Sequence, residues 1–337
     1  MTRAPGDYPP LHTRLQRRSL IGGVVASAAV ISSARAQGRG DVVKMIVPYG
    51  AGNITDQVAR VFLDRHTART GQQFVVENQP AAGGTLGAFN ITQSPADGSV
   101  MGMIAAAALT IAPHANKQAV RYDPVTDFMP VGGAYLSSTY LAVNATLPVR
   151  TLAELVAYAK ARPADNPIFY CSPGNATVPH LNIETICRAF GFTMQHVPYR
   201  TSAAANTDLL ANRVQVTMDS ASITVPHMQT GKLRPLAYSG PARSAEFPDV
   251  PTFREAAPDA QMLNAWAAFF FPRGTPPAIV ARAADPFRAT ASDPAFVEKL
   301  PLGATPLPLT PAGLTDRIRS ENARLGALIA TLGLTQD

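Results

Sequence analysis

Strand-like apolar runs alternate with helical segments along almost the whole chain. The run "VVKMIVPY" is followed by the helical pattern "TDQVARVFLDRHTARTG", and the same order returns in "NPIFYCSPGNATVPHLNIETICRAFG". This alternation is typical of α/β folds, in which helices join parallel strands and cover the faces of the sheet. A chain of 337 residues is long enough for roughly two such units with filled cores. The sequence therefore predicts a two-lobed α/β fold, with a mostly parallel sheet flanked by helices in each lobe.

No low-complexity linker separates the two halves of the chain, so we expect strands to cross between the lobes. The crossings are expected near Tyr140–Asn144 and between Gly240 and Ala265. The first lobe is then predicted to contain residues 37–142 and 265–337, and the second lobe residues 143–264.

The first 36 residues have the order of an export signal. Paired arginines, Arg17 and Arg18, precede an apolar run from Leu20 to Ile31, and the tripeptide Ala34–Ala36 has the small-x-small pattern of a cleavage site. The arginine pair favours the twin-arginine route. The apolar run is short for a membrane span, which needs about 20 residues. We therefore expect a signal peptide over residues 1–36 and a periplasmic protein; an uncleaved amphipathic anchor is the alternative.

Most of the positive charge of the chain lies in this segment. The formal net charge is +6, and five arginines with one aspartate give the first 36 residues +4, which leaves +2 for the remainder. No dense run of lysine and arginine is present beyond the segment, so a nucleic-acid partner is not expected.

The two cysteines, Cys171 and Cys187, raise the question of a disulfide in an oxidising compartment. Cys171 is expected at the end of a strand, and Cys187 about three turns down the helix that starts near Val178, roughly 13 Å from its start at ~1.5 Å per residue. That separation exceeds the ~7 Å Cα limit for a disulfide. The sequence therefore predicts two free, buried cysteines. A catalytic Cys171 with His180 is the enzymatic alternative, although no orienting acid stands near them in the sequence.

Three glycine-bearing turns each leave the end of a strand and enter a helix: Pro48–Asp56, Ala82–Leu86 and Cys171–Thr177. Open α/β sheets bind ligands at this edge, and helix N-termini attract anions. Nucleotide motifs are absent, since "GAGNIT" lacks the third glycine of G-x-G-x-x-G. The chain has no G-x-S-x-G motif, and its histidines lack metal-site spacing. The turns favour an anionic ligand held between two lobes, without metal or cofactor; the alternative is that the glycines serve turn geometry alone.

A set of longer motifs covers nearly all of the chain beyond the signal segment: "VPYGAGNITDQVAR", "VVENQPAAGGTLGA", "YDPVTDFMPV", "HVPYRTSAAANTDLLANRVQVTMDS", "PHMQTGKLRPLA" and "FPDVPTFREA". In this order they resemble the solute-binding receptors of tripartite tricarboxylate transporters, the Bordetella uptake (Bug) family. The resemblance implies a two-lobed periplasmic "Venus flytrap" that is not an enzyme. Its ligand would be an organic acid, typically a di- or tricarboxylate or an acidic amino acid. A monomeric receptor would deliver this ligand to membrane permease subunits.

The resemblance also implies that main-chain and small polar groups of the strand–helix turns grip the carboxylate. In the first lobe it implies Tyr49, Gly50, Ala51, Asn53, Thr55, Asp56, Gly83, Gly84 and Thr85, with Ala106 in the neighbouring wall. In the second lobe it implies Ser172, Gly174, Asn175, Ala176, Thr177, Asp219 and Ser220, and Arg200 is the nearest candidate for a second charge contact. For Asp56 and Asp219, helix capping or turn structure is the alternative, because a buried anion site disfavours a nearby carboxylate unless it serves a ligand amine.

The chain departs from the family pattern in two places. The first turn of the family commonly runs Pro-Phe-x-x-Gly-Gly, whereas here the second glycine is Asn53, which can adopt left-handed geometry but adds a side chain. After the strand that ends at Ile104 the family usually has threonine and serine, whereas Ala105–Leu109 is apolar. This apolar wall favours a ligand with an aromatic or aliphatic body over a small, highly polar dicarboxylate.

Two other functions stay open at the level of the sequence. The same fold serves receptor domains that signal through a partner protein. A periplasmic enzyme that uses the same cleft would need a convergent nucleophile and base, and the sequence shows no such pair.

Overall fold

The computed structural model describes residues 42–199, 201–260 and 262–334, so the predicted signal peptide lies outside the described residues. The strands in this part of the chain are β1 (Val43–Val47), β2 (Phe74–Asn78), β3 (Val100–Ala105), β4 (Phe128–Ser137), β5 (Thr139–Asn144), β6 (Phe169–Ser172), β7 (Gln195–Pro198), β8 (Val216–Ser220), β9 (Leu233–Tyr238), β10 (Ala265–Pro272) and β11 (Ala304–Pro306).

Helices connect most of these strands. They are α1 (Ile54–Thr70), α2 (Thr85–Thr92), α3 (Ala112–Ala115), α4 (Leu152–Lys160), α5 (Val178–Phe190), α6 (Ser202–Leu210), α7 (Ala221–Gln229), α8 (Phe253–Ala256), α9 (Pro277–Ala291), α10 (Pro294–Val297) and α11 (Pro311–Leu332). A π-helical segment, Ala107–Ile111, precedes α3. Within the described ranges, every helix is too short or too polar to cross a lipid bilayer.

The strands form two sheets, which confirms the predicted two-lobed α/β fold. The first sheet has the order β11-β4-β10-β3-β1-β2, and the second has the order β7-β6-β8-β5-β9. The parallel pairs join β1 to β2 and β3, and β6 to β7 and β8, and these strands follow one another through helices, as parallel neighbours require. The remaining pairs are antiparallel. Both sheets are thus mixed, although four of six strands and four of five strands share one direction.

The chain first passes between the sheets at Ser138. Strand β4 ends at Ser137 in the first sheet, and β5 begins at Thr139 in the second. Residues 139–142, which the sequence analysis assigned to the first lobe, therefore belong to the second sheet. The sequence does not mark this passage, because β4 and β5 form one nearly continuous apolar run. The return passage lies between β9 and β10, within the segment that the sequence predicted.

Hydrogen bonds tie the two crossing segments together. The N–H group of Thr139 donates to the hydroxyl oxygen of Ser239 at 2.8 Å, and the N–H group of Ser239 donates to the Thr139 carbonyl at 2.9 Å. The Ser239 hydroxyl donates to Asn264 Oδ1 at 2.7 Å. Asn264 lies just before β10, where the chain passes back to the first sheet. The N–H group of Ser138 donates to the carbonyl of Gly303 at 3.0 Å, beside β11. The two crossing segments are thus joined to each other and to the segment before β11 by polar groups.

The cores of the lobes meet at one apolar cluster, which we call the shared cluster. It combines residues that follow β3, residues of the second-lobe helix α5, one residue of the return passage and two residues of the C-terminal helix α11. Its buried members are Ile111, Ala115, Val178, Leu181, Leu263, Leu325 and Ile329. Ala176, in the third glycine turn, packs against this cluster. The C-terminal helix therefore contributes to both lobes.

Gly133→Ala tests how closely β4 packs against the segment after β11. A Cβ atom at Gly133 would lie 2.2 Å from the Leu307 carbonyl oxygen, whereas at Gly132 the nearest atom would be the Leu309 carbonyl oxygen at 3.2 Å. Because a backbone atom cannot move aside cheaply, we expect Gly133→Ala to lower the free energy of unfolding by about 2 kcal/mol. The matched control Gly132→Ala should cost clearly less. Urea unfolding followed by circular dichroism measures both, and an unchanged midpoint for Gly133→Ala would contradict this packing.

Candidate functional site

The first turn leaves β1 and ends at the N-terminus of α1. The Asn53 side chain accepts a hydrogen bond from the N–H group of Thr55 at 2.9 Å and caps the helix. Asn53 has an extended backbone with φ −64°, and the left-handed residue is Gly52 with φ +79°. Asn53 is therefore not the left-handed residue of this turn, because an N-capping residue needs an extended backbone. Gly52 supplies the left-handed turn at no steric cost.

Asp56 holds this turn in place from inside the protein. Its carboxylate accepts hydrogen bonds from the N–H group of Gly52 and from Asn78 Nδ2, both at 2.9 Å, and forms an ion pair with Arg60 at 3.0 Å. Burial by itself raises the pKa of Asp56, but the hydrogen bonds from Arg60, Gly52 and Asn78 outweigh it and hold the pKa below its ordinary value. All polar atoms of this carboxylate are thus engaged by the turn and its neighbours.

Other predicted side chains of the first lobe also point to protein partners. The Thr55 and Tyr135 hydroxyl groups lie 3.0 Å apart, and the Thr85 hydroxyl donates to the Ala82 carbonyl at 2.9 Å. Gly84, with φ +98°, covers the Tyr49 ring so closely that a Cβ atom there would lie 2.7 Å from the Tyr49 hydroxyl oxygen. These contacts bring the first and second glycine turns together.

At these turns of the first lobe, several backbone N–H groups have no acceptor among the described residues. Within residues 42–199, the N–H groups of Gly50, Ala51 and Gly83 have no hydrogen-bond acceptor. Ala51 and Gly83 are exposed, and Gly50 is half-buried. Such groups beside the N-terminus of a helix form a ready site for an anion.

The third turn leaves β6 and enters α5 in the second lobe. The buried Ser172 hydroxyl donates to the Gly174 carbonyl at 2.9 Å, and the Thr177 hydroxyl donates to the same carbonyl at 2.8 Å. Ala176 is left-handed with φ +54°, and its N–H group donates to His180 Nδ1 at 3.0 Å. The Asn175 side chain is exposed and makes no hydrogen bond to the described residues. This turn therefore offers Asn175 to a ligand, while Ser172 and Thr177 shape its backbone.

A pair of histidines lies beneath the third turn. The rings of His180 and His196 stack with centroids 3.9 Å apart, and His196 also stacks on Tyr170 at 4.8 Å. His196 Nε2 lies 2.7 Å from the Ser172 hydroxyl oxygen. Burial lowers the pKa of both histidines to about 4, so both rings are neutral at neutral pH. His196 was not among the residues predicted from the sequence. The sequence gives one signal for it, which is a histidine inside a strand that follows a strand–turn–helix unit.

The contact between Ser172 and His196 has the spacing of a nucleophile and its base. Ser172 is buried, however, and its oxygen is also shared with the carbonyl and N–H groups of Gly174. No carboxylate among the described residues makes a hydrogen bond to His196 that would orient the ring. Catalysis by Cys171 is not supported either, because burial raises its pKa to about 11 and its thiol contacts the Val216 carbonyl at 3.6 Å. Cys171 and Cys187 are free and buried, as predicted.

Asp219 and Ser220 end β8, which is the parallel neighbour of β6. Asp219 is buried, and its Oδ1 atom accepts a hydrogen bond from the N–H group of Ser220 at 2.7 Å. Burial raises the pKa of Asp219, against hydrogen bonds from Ser202 and Ser220. Ser220 precedes the first residue of α7 and is half-buried. Arg200 lies outside the described residues.

The apolar segment after β3 is buried at Ala106 and exposed at Ala107. Ala106 is only 3% exposed, and its carbonyl accepts a hydrogen bond from the Thr110 hydroxyl at 3.0 Å. Ala107, in the π-helical segment, and Leu86, at the start of α2, are exposed instead. The segment that contains Ala107 contacts the second glycine turn. In the described part of the chain, no group of three or more histidine, cysteine or acidic side chains is placed to hold a metal ion.

The chain matches known proteins over nearly its whole described length. The family model described as "Tripartite tricarboxylate transporter family receptor" matches residues 58–334. Among curated proteins, the "UPF0065 protein in gbd 5'region" of Cupriavidus necator is 32% identical over 295 residues, which cover 85% of this chain and 88% of that protein.

Two solved structures show the same similarity. The periplasmic binding protein BugD has a TM-score of 0.71 and 27% identity, with 88% of this chain and 99% of that chain covered. The protein Rpa4515 of R. palustris, solved with adipate, has a TM-score of 0.74 and 30% identity, with 86% and 97% covered.

Asp56→Asn tests whether the Asp56 carboxylate holds the first turn. We expect it to lower the free energy of unfolding by about 2 kcal/mol, since hydrogen bonds to a charged group contribute about 1.5–3 kcal/mol and Arg60 is partly solvated. Urea unfolding measures the difference, with Asp64→Asn, an exposed position on the same helix, as the control that should not change.

The pH dependence of this difference follows from the lowered pKa of Asp56. A carboxyl group with a lowered folded-state pKa stabilises the protein fully above its unfolded value of 3.8, and this contribution is lost as the pH falls through the folded pKa. The difference in free energy of unfolding between wild type and Asp56→Asn should therefore become smaller as the pH is lowered below 3.8. A gap that is absent at neutral pH would show that Asp56 does not hold the turn.

Proposed function

This chain belongs to the tripartite tricarboxylate transporter family of receptors, and on that premise we propose that it is a periplasmic solute-binding protein that captures a small organic carboxylate between its lobes. The family match agrees with the resemblance to solute-binding receptors that the sequence motifs indicate. A 30% identical relative that was solved with adipate supports a carboxylate as the ligand.

The observation that carries the proposal is the set of N–H groups at the ends of the parallel strands. In the first lobe, Gly50 and Ala51 offer these groups beside the N-terminus of α1, a helix of 17 residues, and Gly83 offers one just before α2. In the second lobe, Asn175 and Thr177 lie at the N-terminus of α5, a helix of 13 residues. Helix dipoles and N–H groups neutralise a carboxylate without an arginine. In this proposal, Thr55, Asp56, Thr85 and Ser172 shape the turns, and the backbone and Asn175 contact the ligand.

The exposed apolar residues beside the second turn support a ligand class. Leu86 is 45% exposed at the start of α2, and Ala107 is exposed in the adjoining π-helical segment. An alkyl or aromatic body would bury this surface and gain about 25 cal/mol per Å². We therefore propose a carboxylate with an aliphatic or aromatic body, which the receptor passes to membrane permease subunits after export through the N-terminal signal.

Thermal unfolding against a panel of acids tests the proposed function. The panel contains adipate, succinate, malate, citrate, glutamate, nicotinate, benzoate and terephthalate. At 100 times the dissociation constant, a ligand should add about 2.7 kcal/mol to the stability, which raises the melting temperature by several degrees. The uncharged adipamide is the control and should give no shift. If no acid shifts the transition and native mass spectrometry shows no ligand retained through purification, carboxylate binding is wrong.

Asn175→Ala tests the contribution of the second lobe. Because its side chain is exposed and free of protein contacts, we expect the free energy of unfolding to be unchanged. The affinity for the best acid of the panel should fall about tenfold, as for a lost hydrogen bond to a charged group. Gln229→Ala removes an exposed amide at the far end of α7 and should leave the affinity unchanged. Isothermal titration calorimetry measures both, and equal affinities for wild type and Asn175→Ala would remove Asn175 from the site.

A further inference from the structure

The histidine pair beneath the third turn has a role that the carboxylate site alone does not require. We propose that His180 and His196 are positioning residues that hold the turn 172–177 in its ligand-binding form, and that protonation of His180 loosens the turn and weakens ligand binding. The effect on ligand binding rests on the proposed carboxylate site, whereas the effect on the turn does not.

His180 acts on the strained residue of the turn. The Ala176 backbone is left-handed with φ +54°, a conformation that is unfavourable for a residue with a Cβ atom. Its N–H group donates to His180 Nδ1 at 3.0 Å, so Nδ1 must be unprotonated and the ring proton must be on Nε2. A protonated imidazole has no acceptor, and it would place an N–H group against the Ala176 N–H group. Protonation of His180 therefore removes the contact that stabilises the left-handed residue.

His196 acts on the other end of the turn through Ser172. Its Nε2 atom lies 2.7 Å from the Ser172 hydroxyl oxygen, and that hydroxyl donates its one proton to the Gly174 carbonyl at 2.9 Å. With this arrangement the His196 Nε2–H group donates to Ser172. Since the His180 and His196 rings stack at 3.9 Å, a charge on one ring opposes a charge on the other.

The groups around the pair do not compensate a positive charge. Tyr170 of β6 stacks on His196 and donates its hydroxyl proton to Glu184 of α5, and the Cys187 thiol lies near Tyr170. Neither Glu184 nor any other carboxylate in the described ranges makes a hydrogen bond to either imidazole. Burial lowers the pKa of both histidines to about 4, against an ordinary value of 6.5.

The sign of the pH dependence follows from these contacts. The ordered turn binds fewer protons than a loosened turn, whose histidines titrate near the ordinary value of 6.5. Above pH 6.5 the turn therefore has its full stability and the protein its full ligand affinity, and both fall as the pH is lowered towards 4. Protonation of His180 contributes at most about a tenfold loss of affinity per pH unit.

The first experiment needs no ligand. Long-range ¹H–¹⁵N spectra of the full chain should show His180 as the Nε2–H tautomer, and amide exchange at pH 7.5 should show a protected Ala176. His180→Asn keeps an acceptor, Oδ1, near the position of Nδ1 and should keep Ala176 protected, whereas His180→Leu should lose this protection. An Nδ1–H tautomer at His180 overturns the proposal, and this readout does not depend on whether the leucine variant folds.

A buried histidine in the first lobe provides the matched control. His66 Nδ1 lies 3.0 Å from the Thr290 hydroxyl oxygen, and burial lowers its pKa to about 4 as well. His66→Asn removes a comparable titrating ring far from the third turn in the sequence. It should leave the protection of Ala176 unchanged.

The second experiment measures adipate affinity between pH 7.5 and 5.5 by calorimetry. Wild type and His66→Asn should lose affinity as the pH falls, and the double variant His180→Asn/His196→Gln should lose clearly less. Protonation of adipate itself affects all variants equally and cancels in this comparison. Equal pH slopes in the wild type and the double variant overturn the proposal. Absence of adipate binding in every variant at pH 7.5 counts against the ligand proposed for the site, and the tautomer and exchange results then decide the role of the histidines.

Discussion

The lobes depend on a few hydrogen bonds where the chain passes between the sheets. Thr139 and Ser239 bind each other through main-chain and side-chain groups, and Ser239 also binds Asn264. Both passages meet at these residues, so a change in the angle between the lobes must be absorbed there. The shared cluster joins the lobes a second time, next to Ala176. The turns that form the candidate site are therefore placed by contacts that lie mostly outside the turns themselves.

Much of the fold could be predicted from the sequence because its signals are local. Strand–turn–helix order depends on residues a few positions apart, and the structure has it. The passage at Ser138 could not be placed, because β4 and β5 are alike in composition and only their partners differ. The extended backbone of Asn53 could not be predicted from the turn pattern either, because it is set by where α1 starts.

The same division holds for the candidate site. Glycine turns at the ends of strands are local features, and the sequence predicts where they lie. The contacts that stabilise the turns join residues far apart, such as Asp56 with Asn78, 22 residues away, and Ser172 with His196, 24 residues away. Both pairs are brought together by parallel strand pairing, β1 with β2 and β6 with β7. If the pairing of these strands is not known, the sequence does not indicate that a histidine in one strand contacts a turn at the end of the next.

The position of β10 has a consequence for the order in which the lobes are completed. This strand lies between β3 and β4 in the first sheet, yet it follows the whole of the second lobe in the chain. During synthesis, every strand of the second sheet therefore exists before the first sheet has its central strand. Until then β3 has one unpaired edge and β4 has two, because β11 also comes later, and such edges invite wrong pairing. The lobe that starts first is thus finished last, and the nascent protein must protect an incomplete sheet while the other lobe folds.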